Sequence, residues 1–167
     1  MFFHLYLLRH AQSADKQASQ TDQERELTTQ GVKESLQIGY YLKSKNFSPD
    51  LIYSSPAQRA QTTAQMVSEV LKLEEDRIRI EEELYNASVR TFFNWLNSLD
   101  DGYNTVMCVG HNPTLSYVAE YLTGAEIGEM APAGLVAIEF KQFSWKDISQ
   151  GNGVLIENIN PTTLSLP

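Results

Sequence analysis

The stretch that decides the fold lies near the start of the chain and reads Leu5-Tyr6-Leu7-Leu8-Arg9-His10-Ala11-Gln12-Ser13. The run over residues 2–8 is apolar except for His4 and shows no alternation, which predicts a strand buried on both faces. On a continuing strand Arg9 and His10 would point to opposite faces, so both reach one site only if the chain turns there. The sequence therefore predicts an anion site at the carboxyl end of the first strand, with His10 as its reactive group.

The bulk composition fits one globular domain over residues 1–167, with 42% hydrophobic and 20% charged residues. No apolar run approaches the ~20 residues that a membrane span needs. The net charge of -8 argues against nucleic acid or an anionic membrane as partner, because both attract a basic face. Cys108 is the sole cysteine, which excludes an internal disulfide and favours a reducing compartment. We expect a cytoplasmic monomer.

Strand and helix signals alternate along the chain. Thr28 is the predicted N-cap of a helix that runs to about Lys45. Ser55 and Pro56 predict the start of a second helix, directly after a short strand over residues 51–53. Further helices are predicted near residues 89–99 and from 113, and extended segments at 77–81, 105–109, 134–140 and 154–159. This alternation predicts an α/β fold, a three-layer α/β/α sandwich around a mostly parallel sheet.

Three junctions share a pattern in which an apolar strand is followed by a turn and then by a cation or an imidazole. They contain Arg9 with His10, Arg59, and His111. Ligands of open α/β sheets bind beyond the carboxyl ends of the strands, where helix N-termini also favour phosphate. Taken singly, each residue has an ordinary explanation: a core histidine, a paired or solvated arginine, a helix cap. Two of the three histidines nevertheless fall at strand ends, which favours one shared site; we interpret His4 as structural.

Five segments resemble motifs of the histidine phosphatase superfamily, which has the phosphoglycerate mutase-like fold. Residues 7–13 (LLRHAQS) are similar to its nucleophile motif, and residues 25–31 (RELTTQG) to its Arg-x-Leu-Thr-x-x-Gly segment. Residues 54–62 (SSPAQRAQT) resemble the segment with the second phosphate-binding arginine, and residues 109–113 (VGHNP) the second-histidine motif. Within the superfamily, the chain length and residues 83–87 (ELYNA) resemble the small SixA-type phosphohistidine phosphatases.

The resemblance implies a metal-independent phosphatase that needs no cofactor. His10 would attack phosphorus and form a phosphohistidine intermediate that water then hydrolyses. Arg9 and Arg59 would clamp the phosphoryl oxygens, for which the planar, permanently charged guanidinium is suited. His111 would stabilise charge in the transition state. Further phosphate-binding donors would be Ser13 and the backbone N–H of Asn112.

Three positions depart from the family pattern. Ala11 stands where the family often has glycine, which is acceptable if the backbone φ angle there is negative. Lys16 or a neighbour replaces an asparagine found in mutases, which disfavours a mutase. The family's usual acid, a glutamate before the second histidine, has no unambiguous match; Glu83 is our choice from the run 81–83, although a solvated acidic run explains it equally well. A phosphohistidine substrate would need less proton donation, because its imidazole can depart already protonated.

The interval from Arg59 to His111 leaves little chain for a lid, so we expect an open site. Such a site would admit a phosphohistidine on a protein surface, for example that of a histidine phosphotransfer domain. The alternative is a phosphomonoesterase acting on small phosphorylated metabolites. A non-catalytic phosphate-binding module is disfavoured because binding alone needs no nucleophile, and a nucleotide-binding domain because no Gly-rich loop follows the first strand.

Overall fold

The computed structural model describes residues 2–142 and 144–165. The strands are β1 (Phe3–Arg9), β2 (Leu51–Ser54), β3 (Ile78–Ile80), β4 (Thr105–Gly110), β5 (Leu135–Phe140) and β6 (Gly153–Ile159). The helices are α1 (Thr29–Ser44), α2 (Gln58–Leu71), α3 (Val89–Asn97) and α4 (Thr114–Thr123). Short 3-10 turns join them, among them Asp22–Glu24 and Glu82–Leu84. None of these helices combines the length and the apolar character that crossing a membrane would require.

The strands form one six-stranded sheet in the order β3-β2-β4-β1-β5-β6. Strands β3, β2, β4 and β1 pair in parallel, whereas β5 is antiparallel to both β1 and β6. The predicted, mostly parallel sheet is confirmed, with β5 as the strand of opposite direction. Because β2, β4 and β1 are parallel neighbours, their carboxyl ends lie side by side at one edge of the sheet.

The sheet separates two apolar layers. Leu5 and Leu7 of β1 pack in a core with residues of α3 and α4, such as Phe92 and Val118. Leu8 faces the opposite core, which α1 and α2 complete. The predicted burial of β1 on both faces and the three-layer α/β/α sandwich are thus confirmed.

The helix starts follow the sequence signals only in part. Thr28 caps α1 as predicted, since its Oγ1 accepts a hydrogen bond from the Gly31 N–H at 3.0 Å. The prediction that Ser55 caps the second helix is wrong, because α2 begins only at Gln58. The Ser55 hydroxyl instead accepts from the Ala57 N–H, within the turn before the helix, and contacts a site histidine.

Helix α1 packs closely on the chain that follows β1. The Thr28 N–H donates to the Gln12 carbonyl at 3.0 Å, and the Gln12 N–H donates to Oε1 of Glu34 at 2.9 Å. Gly31 makes this approach possible, since a Cβ at this position would lie 2.1 Å from the Gln12 carbonyl oxygen. Ala11 is fully buried and is not among the residues with positive φ, so the departure from glycine there causes no backbone strain.

Candidate active site

His10 lies at the end of β1 with only 9% of its surface exposed. Its backbone N–H donates to the Gly110 carbonyl at 3.0 Å, which fixes the residue between the ends of β1 and β4. Its Nδ1 lies 2.8 Å from the carbonyl oxygen of Ala11. A carbonyl only accepts, so Nδ1 carries the proton and Nε2 keeps a free lone pair. The ring is therefore held in the tautomer that a nucleophilic Nε2 requires.

The environment keeps the His10 ring neutral. Burial is the main reason that its pKa falls from 6.5 to about 4, and the positive charges of Arg59, Arg9 and Arg25 lower it further. The hydrogen bond to Ala11 acts in the opposite direction. At neutral pH the lone pair on Nε2 is consequently available.

His111 follows β4 and lies beside His10, with 5.2 Å between the ring centroids. Its Nε2 is 2.8 Å from the Ser55 hydroxyl, and the Tyr85 ring meets it edge-on at a centroid distance of 5.7 Å. Burial lowers the pKa of His111 to about 3, assisted by the nearby His10 and Arg59. The site thus holds two neutral imidazoles in contact.

Two arginines supply the positive charge around these rings. Arg59, on the first turn of α2, is only 6% exposed and donates through Nη1 to the Asp22 carbonyl at 2.8 Å and through Nη2 to its carboxylate at 3.1 Å. Arg9 donates through Nη1 to the Met130 carbonyl at 2.7 Å. Within residues 2–142 and 144–165, the buried Nε atoms of both arginines have no hydrogen-bond partner. Buried N–H groups of a cation are rarely left unsatisfied, so this pair indicates where an anion would bind.

Asp22 is a site residue that the sequence analysis missed. It lies in the stretch 15–25, which lacks any apolar spacing. Besides binding Arg59, its carboxylate accepts from Nη1 of Arg25 at 3.1 Å and from the Tyr85 hydroxyl at 2.5 Å. The spacing of three residues between Asp22 and Arg25 was the one available signal, and it is common in solvated turns.

The remaining predicted residues, Ser13, Asn112 and Glu83, differ in their hydrogen-bond partners. Ser13 accepts from Nη2 of Arg25 at 2.9 Å, so its hydroxyl belongs to the same network. The Asn112 side chain donates to the Met130 carbonyl at 3.1 Å and accepts from the Ser116 hydroxyl at 3.0 Å, rather than capping α4. Glu83 is exposed, and across the described residues it makes no hydrogen bond or salt bridge. Glu83 thus shares no hydrogen bond with the histidines in the described chain, and its role as the acid stays a prediction.

The surface around Arg9 is open. Cavities of about 460 Å³ and 390 Å³ adjoin it, and both are also lined by Glu129. A third cavity of about 240 Å³ adjoins His111 and is lined by the apolar side chains of Leu84 and Phe92. In the part of the chain that the structure describes, no three His, Cys, Asp or Glu side chains are arranged to hold a metal ion.

Comparison with known proteins identifies the family. The family model of the histidine phosphatase superfamily (branch 1) matches residues 5–89. The chain belongs to this superfamily. The phosphohistidine phosphatase SixA of Escherichia coli (strain K12) is 26% identical over 163 residues, which cover 97% of this chain and 96% of that protein. This confirms the predicted family and the phosphatase class of enzyme.

Solved structures of similar proteins confirm the fold. The putative SixA of Agrobacterium tumefaciens has a TM-score of 0.81 and 26% identity, over 95% of this chain and 98% of that one. The putative SixA of Nakamurella multipartitia has a TM-score of 0.84 and 22% identity, over 96% of this chain and 97% of that one. The three-layer sandwich is therefore the fold of SixA-like histidine phosphatases.

Proposed function

We propose that this chain is a phosphohistidine phosphatase that removes phosphate from a phosphohistidine of a partner protein, through a covalent intermediate on His10. The observation that carries the proposal is the neutral His10 ring with its free Nε2, next to two guanidinium groups whose buried Nε atoms have no protein acceptor among the described residues. The similarity over 97% of the chain to a protein named phosphohistidine phosphatase SixA supports the choice of substrate.

In the first step, the lone pair of His10 Nε2 attacks phosphorus and the bond from phosphorus to the substrate nitrogen breaks. Arg9 and Arg59 hold the phosphoryl oxygens through their unpartnered N–H groups, and His111 stabilises the charge of the transferring group. The substrate imidazole, which already carries a proton on its other ring nitrogen, takes the electron pair of the broken bond and leaves as a neutral ring. In the second step, water attacks the phosphohistidine on His10, which releases phosphate and restores the free ring. We propose Ser13 and the Asn112 N–H as additional donors.

The site favours a leaving group that needs little proton donation. The Asp22 carboxyl cannot serve as the acid, because hydrogen bonds from Tyr85, Arg25 and Arg59 hold its pKa well below the usual range. Glu83, the predicted acid, is exposed, and among the described residues it forms no hydrogen bond with either histidine. A phosphorylated imidazole departs more readily than an alkoxide under these conditions, since it can be protonated before the bond breaks.

The open surface favours a protein as the partner. The two cavities beside Arg9 leave the surface next to this arginine uncovered, which suits a phosphohistidine carried on another domain, such as a histidine phosphotransfer domain. Small phosphorylated metabolites are the competing substrate class. Comparing kcat/KM for a phosphohistidine protein with that for an aryl phosphate ranks the two, and we expect the phosphohistidine protein to react faster.

Labelling tests the mechanism directly. The enzyme is mixed with a substrate carrying labelled phosphate and quenched, and acid-labile label on the protein is measured for wild type, His10→Ala and His4→Ala. His4 lies in the strand and bonds Glu139, so its variant is the matched control. We expect label and turnover with wild type and His4→Ala and neither with His10→Ala. Turnover of His10→Ala at the wild-type rate would refute the proposed nucleophile.

A further inference from the structure

One carboxylate joins three separate segments at the edge of the site. Asp22 receives hydrogen bonds from Arg59 of α2, from Arg25 at the end of its own 3-10 turn, and from Tyr85 after β3. Its backbone carbonyl takes a further bond from Nη1 of Arg59, so Asp22 holds both Nη atoms of that guanidinium. Among the described residues, no other acidic side chain forms a salt bridge with Arg59.

We propose that Asp22 is a positioning residue that fixes the Arg59 guanidinium so that its Nε–H faces the phosphoryl group. The two Nη contacts determine the plane and the rotation of the guanidinium. The Nε–H, which is buried and has no acceptor within the described part of the chain, is then left on the edge available to a ligand. A long side chain held in advance loses less conformational freedom on binding, so preorganisation raises affinity for the phosphoryl group. The inference rests on the proposed function, because it concerns the same site.

Two other roles are compatible with the same contacts. Asp22 could merely anchor the turn Asp22–Glu24, in which case any loosening of that turn would have the same effect. It could also act as a competitor that occupies Arg59 until phosphate displaces it, in which case its removal would strengthen phosphate binding. The three roles predict different results in one set of variants.

The experiment compares wild type, Asp22→Asn, Arg59→Ala and the double variant. The Asp22→Asn substitution keeps the size of the side chain and the backbone carbonyl but removes the negative charge that accepts from Arg59. Glu24→Gln is the matched control, since Glu24 lies in the same turn and bonds the Thr21 N–H without reaching an arginine. The readouts are kcat and KM for the phosphohistidine substrate, the inhibition constant or dissociation constant of inorganic phosphate, and the melting temperature.

We expect Asp22→Asn to lower kcat/KM by about 10- to 100-fold and to weaken phosphate binding about tenfold, as for loss of a hydrogen bond between charged groups. The melting temperature should fall, because the carboxylate also binds Arg25 and Tyr85, but the variant should remain folded at the assay temperature. Glu24→Gln should keep wild-type kinetics. In the Arg59→Ala background, Asp22→Asn should cost less than about twofold, because it acts through Arg59.

Four results would overturn the proposal. These are unchanged kinetics in Asp22→Asn, tighter phosphate binding, an undiminished loss in the Arg59→Ala background, or the same loss with Glu24→Gln. Failure of the proposed function is separable from these outcomes. If wild type hydrolyses no phosphohistidine substrate, the proposed function is wrong, whereas the affinity for inorganic phosphate still decides the role of Asp22.

Discussion

The titration of His10 provides a sharp test of the site. An ordinary imidazole has a pKa near 6.5, whereas that of His10 is lowered to about 4. One pKa unit corresponds to about 1.4 kcal/mol, so the buried, positive surroundings disfavour the imidazolium by about 3 kcal/mol. At pH 5.5 an ordinary imidazole is mostly protonated, whereas His10 should be mostly neutral.

NMR of the imidazole ring nitrogens and carbons over pH 4–8 measures this. The signals of His10 and His111 should not titrate between pH 5 and pH 8, and His10 should show the tautomer with the proton on Nδ1. The His4→Gln variant removes the signal of the third histidine and so completes the assignment. A His10 midpoint near 6.5, or a proton on Nε2 at neutral pH, would refute the electrostatic argument.

The lowered pKa values of His10 and His111 also affect the free energy of unfolding. A lowered pKa in the folded state means that the unfolded chain binds protons first as the pH falls. The free energy of unfolding should therefore decrease from about pH 6.5 downwards, until the folded state also binds protons near pH 4. The pH dependence of kcat/KM reports the pKa values of the free enzyme. Because the pKa of His10 is about 4, kcat/KM should show no loss from His10 protonation above about pH 5.

Three further substitutions test particular contacts. Gly31→Ala should lower the melting temperature by about 3–10 °C, because the new methyl group collides with the Gln12 carbonyl; an unchanged melting temperature would contradict this. Thr63→Val should cost about 1–3 kcal/mol of unfolding free energy by removing the acceptor of the buried Ala11 N–H, and no cost would show that another acceptor replaces it. Glu83→Gln should change kcat less than about twofold, whereas a 100-fold loss would establish Glu83 as the acid.

Most strands and helices, and the meeting of Arg9, His10, Arg59 and His111 at one edge of the sheet, could be predicted from the sequence. Local sequence patterns determine them. The apolar runs of β1 and β4 are long, with His4 as the one polar interruption, and each ends two positions before a histidine. Parallel neighbours bring such ends together, so His10 and His111 meet although about 100 positions separate them in the sequence. Arg59 joins them because β2 lies next to β4 and α2 starts shortly after it.

The features that were missed depend on contacts between distant segments. The direction of β5 is not encoded in its own apolar residues, and only pairing with β1 and β6 determines it. The helix-start pattern at Ser55 was misleading because the hydroxyl contacts His111 instead of capping α2. Asp22 lies in a polar stretch without periodicity, and its importance arises only when that stretch folds against Arg59 and Tyr85.

The site is buried and carries an excess of positive charge. This explains both the low pKa of His10 and the Nε atoms of Arg9 and Arg59 that have no partner in the described chain. A phosphoryl dianion would satisfy both Nε–H groups and would also favour imidazolium, so its binding must raise the pKa of His10. Because that pKa starts at about 4, it can rise by about two units and still leave most of the ring neutral at pH 7. The electrostatic field that binds the substrate therefore also keeps the nucleophile unprotonated after the substrate has bound.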